Sequence, residues 1–159
     1  MVQKSLRQIV ITSIVTLCLL FSGCATGPNL GSRAIETMDE PVTIATDSPA
    51  YSLLQQAKQA RQQGQNAAAG RLLERAITVS QANEAAILYR EFGELRLAEG
   101  QARNAEGMFM RALRDAPANR SWQVEIWQLI QRSREQQGNP SGAAAAAERV
   151  KQLQGLIDS

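Results

Sequence analysis

Histidine is absent from all 159 residues, and cysteine occurs only at Cys18 and Cys24. Imidazole is the usual general base near neutral pH and the commonest metal ligand, so its absence removes most hydrolytic and metal chemistry. Carboxylate pairs remain, at Glu91/Glu94 and Glu94/Glu99. They stand among arginines on stretches of helical periodicity and read as a solvated charged face. No glycine-rich phosphate loop of the GxGxxG or GxxxxGKS/T kind occurs. The expectation is a protein that is not an enzyme and holds no cofactor or metal. The thiol with a chemical context is that of Cys24. Lys4 and Arg7 are followed by an apolar run, Ile9–Phe21, and then Ser22-Gly23-Cys24. A largely apolar run of 13 residues is too short to span a bilayer, which takes about 20. A basic start, a short apolar run and small residues form a secretory signal, expected over residues 1–23.

The end of that signal, Leu20-Phe21-Ser22-Gly23-Cys24, resembles a bacterial lipobox, with Phe21 where Leu is usual. The resemblance implies cleavage before Cys24, diacylation of its thiol and acylation of the new N-terminus. Two or three acyl chains anchor stably where one holds only marginally. The next residue is Ala25. In many Gram-negative bacteria an Asp there retains a lipoprotein in the inner membrane, so the resemblance implies the outer membrane, periplasmic face. An ordinary cleaved signal and an uncleaved anchor are the alternatives. With Cys18 removed and Cys24 acylated, the mature chain would carry no free thiol and no disulfide.

Residues 24–49 read as a lipidated Cys and a flexible linker. The stretch holds Gly27, Pro28, Gly31, Pro41 and Pro49 and no aromatic residue. Low hydrophobicity and turn formers argue for disorder, although Val42–Thr46 could form a strand on a partner. Its acids, Glu36, Asp39, Glu40 and Asp47, face one base, Arg33, for a net of −3. From Ala50 onward there are 12 Arg and 2 Lys against 11 Asp and Glu, a net of +3. A basic domain on an acidic leash follows, with too little excess charge for a nucleic-acid partner. Arginine over lysine fits planar recognition of carboxylates, and also a GC-rich genome.

Residues 50–159 carry a repeated pattern. Tyr89, Phe92, Gly93 and Arg96 lie at helical spacing on one face, and Ala105, Met108, Phe109, Ala112 and Leu113 on another, with Gly100 between. Pro117 is placed to stop the second helix. The small residues Gly93, Ala105 and Ala112 permit close approach of two backbones while Phe92 and Phe109 fill the space around them. Leu53, Ala57, Gly64, Ala69, Leu73 and Ala76 repeat this pattern 36 residues earlier. Trp127, Ile130, Gly138, Ala143, Ala147 and Val150 repeat it more weakly, each 38 residues after Tyr89, Phe92, Gly100, Ala105, Phe109 and Ala112. Ser48-Pro49 reads as a helix start, Asn83 as a cap for the third helix and Asn139-Pro140 as another start. Aromatics are only 4% of the chain, which favours an alanine-rich helical core over a β sandwich.

These positions fall on the signature of a tetratricopeptide repeat, whose period is about 34 residues. Arg96 departs from it, since an aromatic is usual there, and Tyr89 stands for the usual Trp. The resemblance implies an all-α fold, a short TPR-type α-solenoid of about three helical hairpins near residues 50–83, 86–119 and 124–157. Trp122 would then seal the second junction or stand as an exposed anchor. Leu153, Leu156 and Ile157 would cap the last helix or dock on something else.

In that family the first helices of successive repeats line a concave groove for partner peptides or helices. By position this gives Tyr51, Leu54, Lys58 and Arg61, then Ile87, Arg90, Glu94 and Leu97, then Gln128 and Arg132. Ile87 and Leu97 are apolar on a face otherwise expected to be wet. The layout of lipobox, short tether and single small repeat domain resembles the lipoproteins that activate class A penicillin-binding proteins, the bifunctional peptidoglycan synthases. The resemblance implies an adaptor for an envelope protein, most concretely such a synthase. A pilotin-like escort of a secretin in pilus assembly, and a general envelope-assembly scaffold, are the alternatives.

Overall fold

The computed structural model describes residues 41–116 and 118–157. The expected signal peptide, Cys24, the tether up to residue 40 and the helix stop at Pro117 lie outside the described residues. Six helices follow among the described residues, in order: α1 Pro49–Gln62, α2 Asn66–Val79, α3 Ala82–Ala98, α4 Ala102–Asp115, α5 Arg120–Gln136 and α6 Pro140–Gly155. Among the described residues there is no strand, and each helix packs on its neighbours in sequence. The fold is all-α, a TPR-like stack of three helical hairpins. None of these helices is long and apolar enough to cross a membrane.

The three hairpin turns are built alike. Gly64, Gly100 and Gly138 have φ of +73°, +75° and +69°, the left-handed region that costs a side-chain-bearing residue energy. In each turn the residue after the glycine donates to the carbonyl five positions back: Gln65 to Ala60 at 2.9 Å, Gln101 to Arg96 at 2.8 Å and Asn139 to Arg134 at 2.9 Å. Each glycine N–H also reaches the carbonyl three back, at 3.0 Å. This pairing satisfies the last carbonyls of the first helix and reverses the chain in two residues.

The starts of α1, α5 and α6 are capped by side chains. Ser48 Oγ accepts from the Ala50 N–H, Asn119 Oδ1 from Trp122 and Asn139 Oδ1 from Gly142. At α3 the sequence reading needs correction. The helix begins at Ala82, so Asn83 lies inside it, and Glu84 instead accepts from the Gln81 N–H at 3.0 Å. Helix α5 likewise begins four residues before Val124, and this extra turn carries Trp122 into the core.

The core falls into two clusters. The first joins α1, α2 and α3 through Leu54, Ala57, Leu73, Ala76, Leu88, Phe92 and Leu95. The second joins α3 to α6 through Ala86, Ala105, Phe109, Ala112, Trp122, Ile126, Ile130 and Ala146. Phe109 is fully buried, and its ring fills the space above Gly93. Arg96 lies with its guanidinium 4.7 Å from the centre of the Phe92 ring and pairs with Glu99 at 2.8 Å. A planar cation thus takes the place between α2 and α3 where the repeat family carries an aromatic. At the end of the stack Leu153 is buried, while Leu156 and Ile157 are half exposed and Arg120 Nη1 donates to the Leu156 carbonyl at 2.8 Å.

The segment before α1 differs from a free linker. Val42 packs against the second cluster and Ile44 against the first. Ser48 Oγ also donates to Glu84 Oε2 at 3.0 Å, which ties the segment to the start of α3. Two aliphatic residues at alternate positions place both side chains on one side of an extended chain. They find a wet-to-apolar boundary on the domain itself rather than on a partner.

Candidate functional site

The concave face is built by α1, α3 and α5, the first helix of each hairpin. Buried charge occupies its middle. Glu91 is only 5% exposed, and its carboxylate meets Lys58 Nζ at 3.0 Å, Arg90 Nη2 at 3.0 Å and Arg61 Nη1 at 3.8 Å. Arg90 continues the chain of charges to Glu125 at 2.7 Å and lies 5.3 Å from the centre of the Trp122 indole. Burial works to lower the Arg90 pKa, but Glu125, Glu91 and Glu94 outweigh it and hold the guanidinium above its ordinary value. The ladder Lys58–Glu91–Arg90–Glu125 therefore crosses all three first helices.

Several sequence-assigned groove residues are consumed by this architecture. Glu91, expected to be a solvated acid, is buried and paired three ways, by Lys58 and Arg61 from α1 and by its own neighbour Arg90 on α3. Arg90 is committed to the ladder, and Lys58 to Glu91. Leu54 is 4% exposed and belongs to the first core cluster. Ile87 packs against both clusters, so its apolar character serves the junction between hairpins. Trp122, 7% exposed, seals the second junction and is no exposed anchor. Tyr51 is half-buried in the first turn of α1, and Gln128 is exposed on α5; neither lines the open groove described next.

An open groove of about 510 Å³ remains toward the C-terminal ends of the three first helices. Arg61 from α1, Glu94, Leu97 and Ala98 from α3, and Leu129 and Arg132 from α5 line it. Four of the ten sequence-assigned residues, Arg61, Glu94, Leu97 and Arg132, thus converge here. Leu129 was not among them, since its neighbour Ile130 carries the repeat signature and Leu129 reads as one more core position. Arg61 lies 3.5 Å from Glu94. Arg132 is exposed and has no carboxylate within 4 Å among the described residues. Glu135, one turn along α5, is held by Gln131 Nε2 at 2.8 Å.

An apolar floor flanked by two guanidinium groups can bury aliphatic side chains and accept planar anions. No group of three or more acidic or thiol side chains that could hold a metal ion occurs among the described residues. On the opposite side of α5, Glu106 of α4 is clamped by Arg134 Nε and Gln137 Nε2, both at 2.8 Å, which joins the second and third hairpins.

No protein-family model and no curated protein matches the chain. A solved structure does, described as the globular C-terminal domain of P. aeruginosa LpoP, with 33% sequence identity and a TM-score of 0.60. The match covers 66% of this chain and 97% of that domain. Near-complete coverage at this identity, on the same stack of helices, shows that the chain belongs to the family of the LpoP C-terminal domain.

Proposed function

We propose that this chain is a non-enzymatic lipoprotein adaptor that binds an envelope protein through its concave face and activates a class A penicillin-binding protein. The observation that carries the reading is the 33% identity across nearly the whole LpoP C-terminal domain. The family of synthase-activating lipoproteins is also the one that the lipobox-like Cys24, the short tether and the single repeat domain resemble. The open groove supplies an apolar, cation-flanked surface of the kind a partner segment fills. Anchoring through Cys24 to the outer membrane, with the domain facing the periplasm, completes the proposal.

The test is reconstitution. The full chain, purified in detergent after expression with its own signal, is added to a class A synthase and lipid-linked substrate. Faster glycan polymerisation and cross-linking are expected. No change in either rate, with no binding to the synthase, overturns the reading. Mass spectrometry of the same preparation is expected to show a processed chain beginning at an acylated Cys24. An unmodified Cys24 overturns the anchor alone.

A further inference from the structure

Resting on the groove as the partner surface, we infer that its occupant is a short segment presenting a carboxylate to Arg132 beside an aliphatic side chain seated on Leu97, Ala98 and Leu129. Three observations carry this. First, the cations of the concave face are unequal. Lys58 and Arg90 are spent on Glu91 and Glu125, and Arg61 leans on Glu94 at 3.5 Å, but Arg132 projects from α5 with no carboxylate within 4 Å among the described residues. An exposed guanidinium beside apolar walls is the arrangement that rewards a planar anion, because two parallel N–H groups can meet both its oxygens.

Second, the wall opposite supplies no second anion for Arg132. Glu135 is turned to Gln131, and Glu94 already faces Arg61 and Arg90. A cationic occupant would therefore meet Arg61 and Arg132 without a free carboxylate to receive it. Charge complementarity selects an acidic segment and rejects a basic one.

Third, the accessible length is limited. Toward the N-terminal ends of the first helices, Ile87 is packed away and Arg90 is covered by its own partners. The open part of α3 runs from Glu94 to Ala98, little more than one turn. A partner is thus read over a few residues, with one acid and one aliphatic carrying the discrimination.

The probe is a 12-residue helical peptide with leucines at i, i+3 and i+4 flanked by glutamates, compared with a twin that has lysines for glutamates. Each is titrated into the full chain in zwitterionic micelles, with leucine methyl groups isotope-labelled, against empty micelles. The glutamate peptide is expected to shift the methyl signals of Leu97 and Leu129 and to bind at least tenfold more tightly than its twin. Arg132→Glu should abolish that preference, and Arg132→Met, which keeps the apolar stem, should reduce it. Arg103→Glu, on the exposed face of α4, should leave it unchanged. Equal affinity for the two peptides, no shift at Leu97 and Leu129, or full preference in Arg132→Met overturns the inference. Synthase activation without a charge preference would sink this inference and leave the proposed function standing. A charge preference without activation would do the reverse.

Discussion

The ring of Phe109 occupies the space a Cβ on Gly93 would need: such an atom would lie 2.7 Å from Cδ1 and 2.9 Å from Cζ. Both residues are buried, on α3 and α4, so neither can move away without opening the second core cluster. Gly93→Ala is therefore expected to destabilise by about 1–3 kcal/mol through overpacking, despite alanine's better helix propensity. Gly107, with nothing within 4 Å of its notional Cβ, is the control. There the same change should stabilise by about 0.5–1 kcal/mol. Urea unfolding of the two variants checks both signs.

Arg90 and Arg132 separate folding from recognition. Removing Arg90 leaves Glu125 without its 2.7 Å partner and uncovers one face of Trp122. Arg90→Ala is expected to lower stability by about 1.5–3 kcal/mol, the usual effect of hydrogen bonds to charged groups. Arg132→Ala should stay within about 0.5 kcal/mol of the parent while losing partner affinity. Denaturant midpoints beside a synthase-binding measurement distinguish the two; a stable Arg90→Ala would mean the ladder is dispensable.

Acid should loosen the joint between the second and third hairpins. Burial tends to raise the Glu106 pKa, but hydrogen bonds from Gln137 and Arg134, with the arginine's charge, outweigh it and hold the carboxyl below its usual range. A depressed folded pKa stabilises fully above the unfolded value of about 4.3, and that share is lost as pH falls through the lower folded value. Glu106→Gln should be less stable than the parent at pH 7, and the gap should shrink as pH falls below the unfolded value of about 4.3. Parallel pH–stability curves for the two would contradict this.

Much of the stack is legible in the sequence, for identifiable reasons. The left-handed turn at Gly64, Gly100 and Gly138 demands glycine, so the repeat announces itself wherever the turn recurs. Ala105, Ala112 and Phe109 are readable because close helix packing needs small residues at helical spacing. The concave face is less readable. Nothing local distinguishes Glu91, which is buried, from Glu94, which lines the groove. Their difference comes from Lys58 and Arg90, one on another helix and one adjacent in sequence. Ile87 and Leu97 look equivalent on the same face, yet one sits at the junction of two clusters and the other in the groove. Val42 and Ile44 alternate as in a strand that could form on a partner, and nothing in so short a Pro-, Thr- and Asp-containing stretch says that the surface covering them is the domain's own.

Those two side chains can be tested directly. Each is half-buried, so Val42→Ser and Ile44→Ser are expected to cost about 1 kcal/mol apiece, part of the full burial energy of such a side chain. Hydrogen exchange at Ala86, Ile87 and Leu88 should quicken in the double variant, measured by mass spectrometry on the full chain. Unchanged exchange there would mean the segment is not held against α3.

The same segment decides how a pull on the N-terminus is borne. Tension along the preceding chain does not enter at the end of α1 alone. It meets Val42 on the second cluster, then Ile44 on the first, then the Ser48–Glu84 hydrogen bond. These contacts stand between the preceding chain and α1, so each must part before a pull reaches the helix through its backbone. The first hairpin, and with it Arg61, is thereby shielded from tension on the N-terminal side.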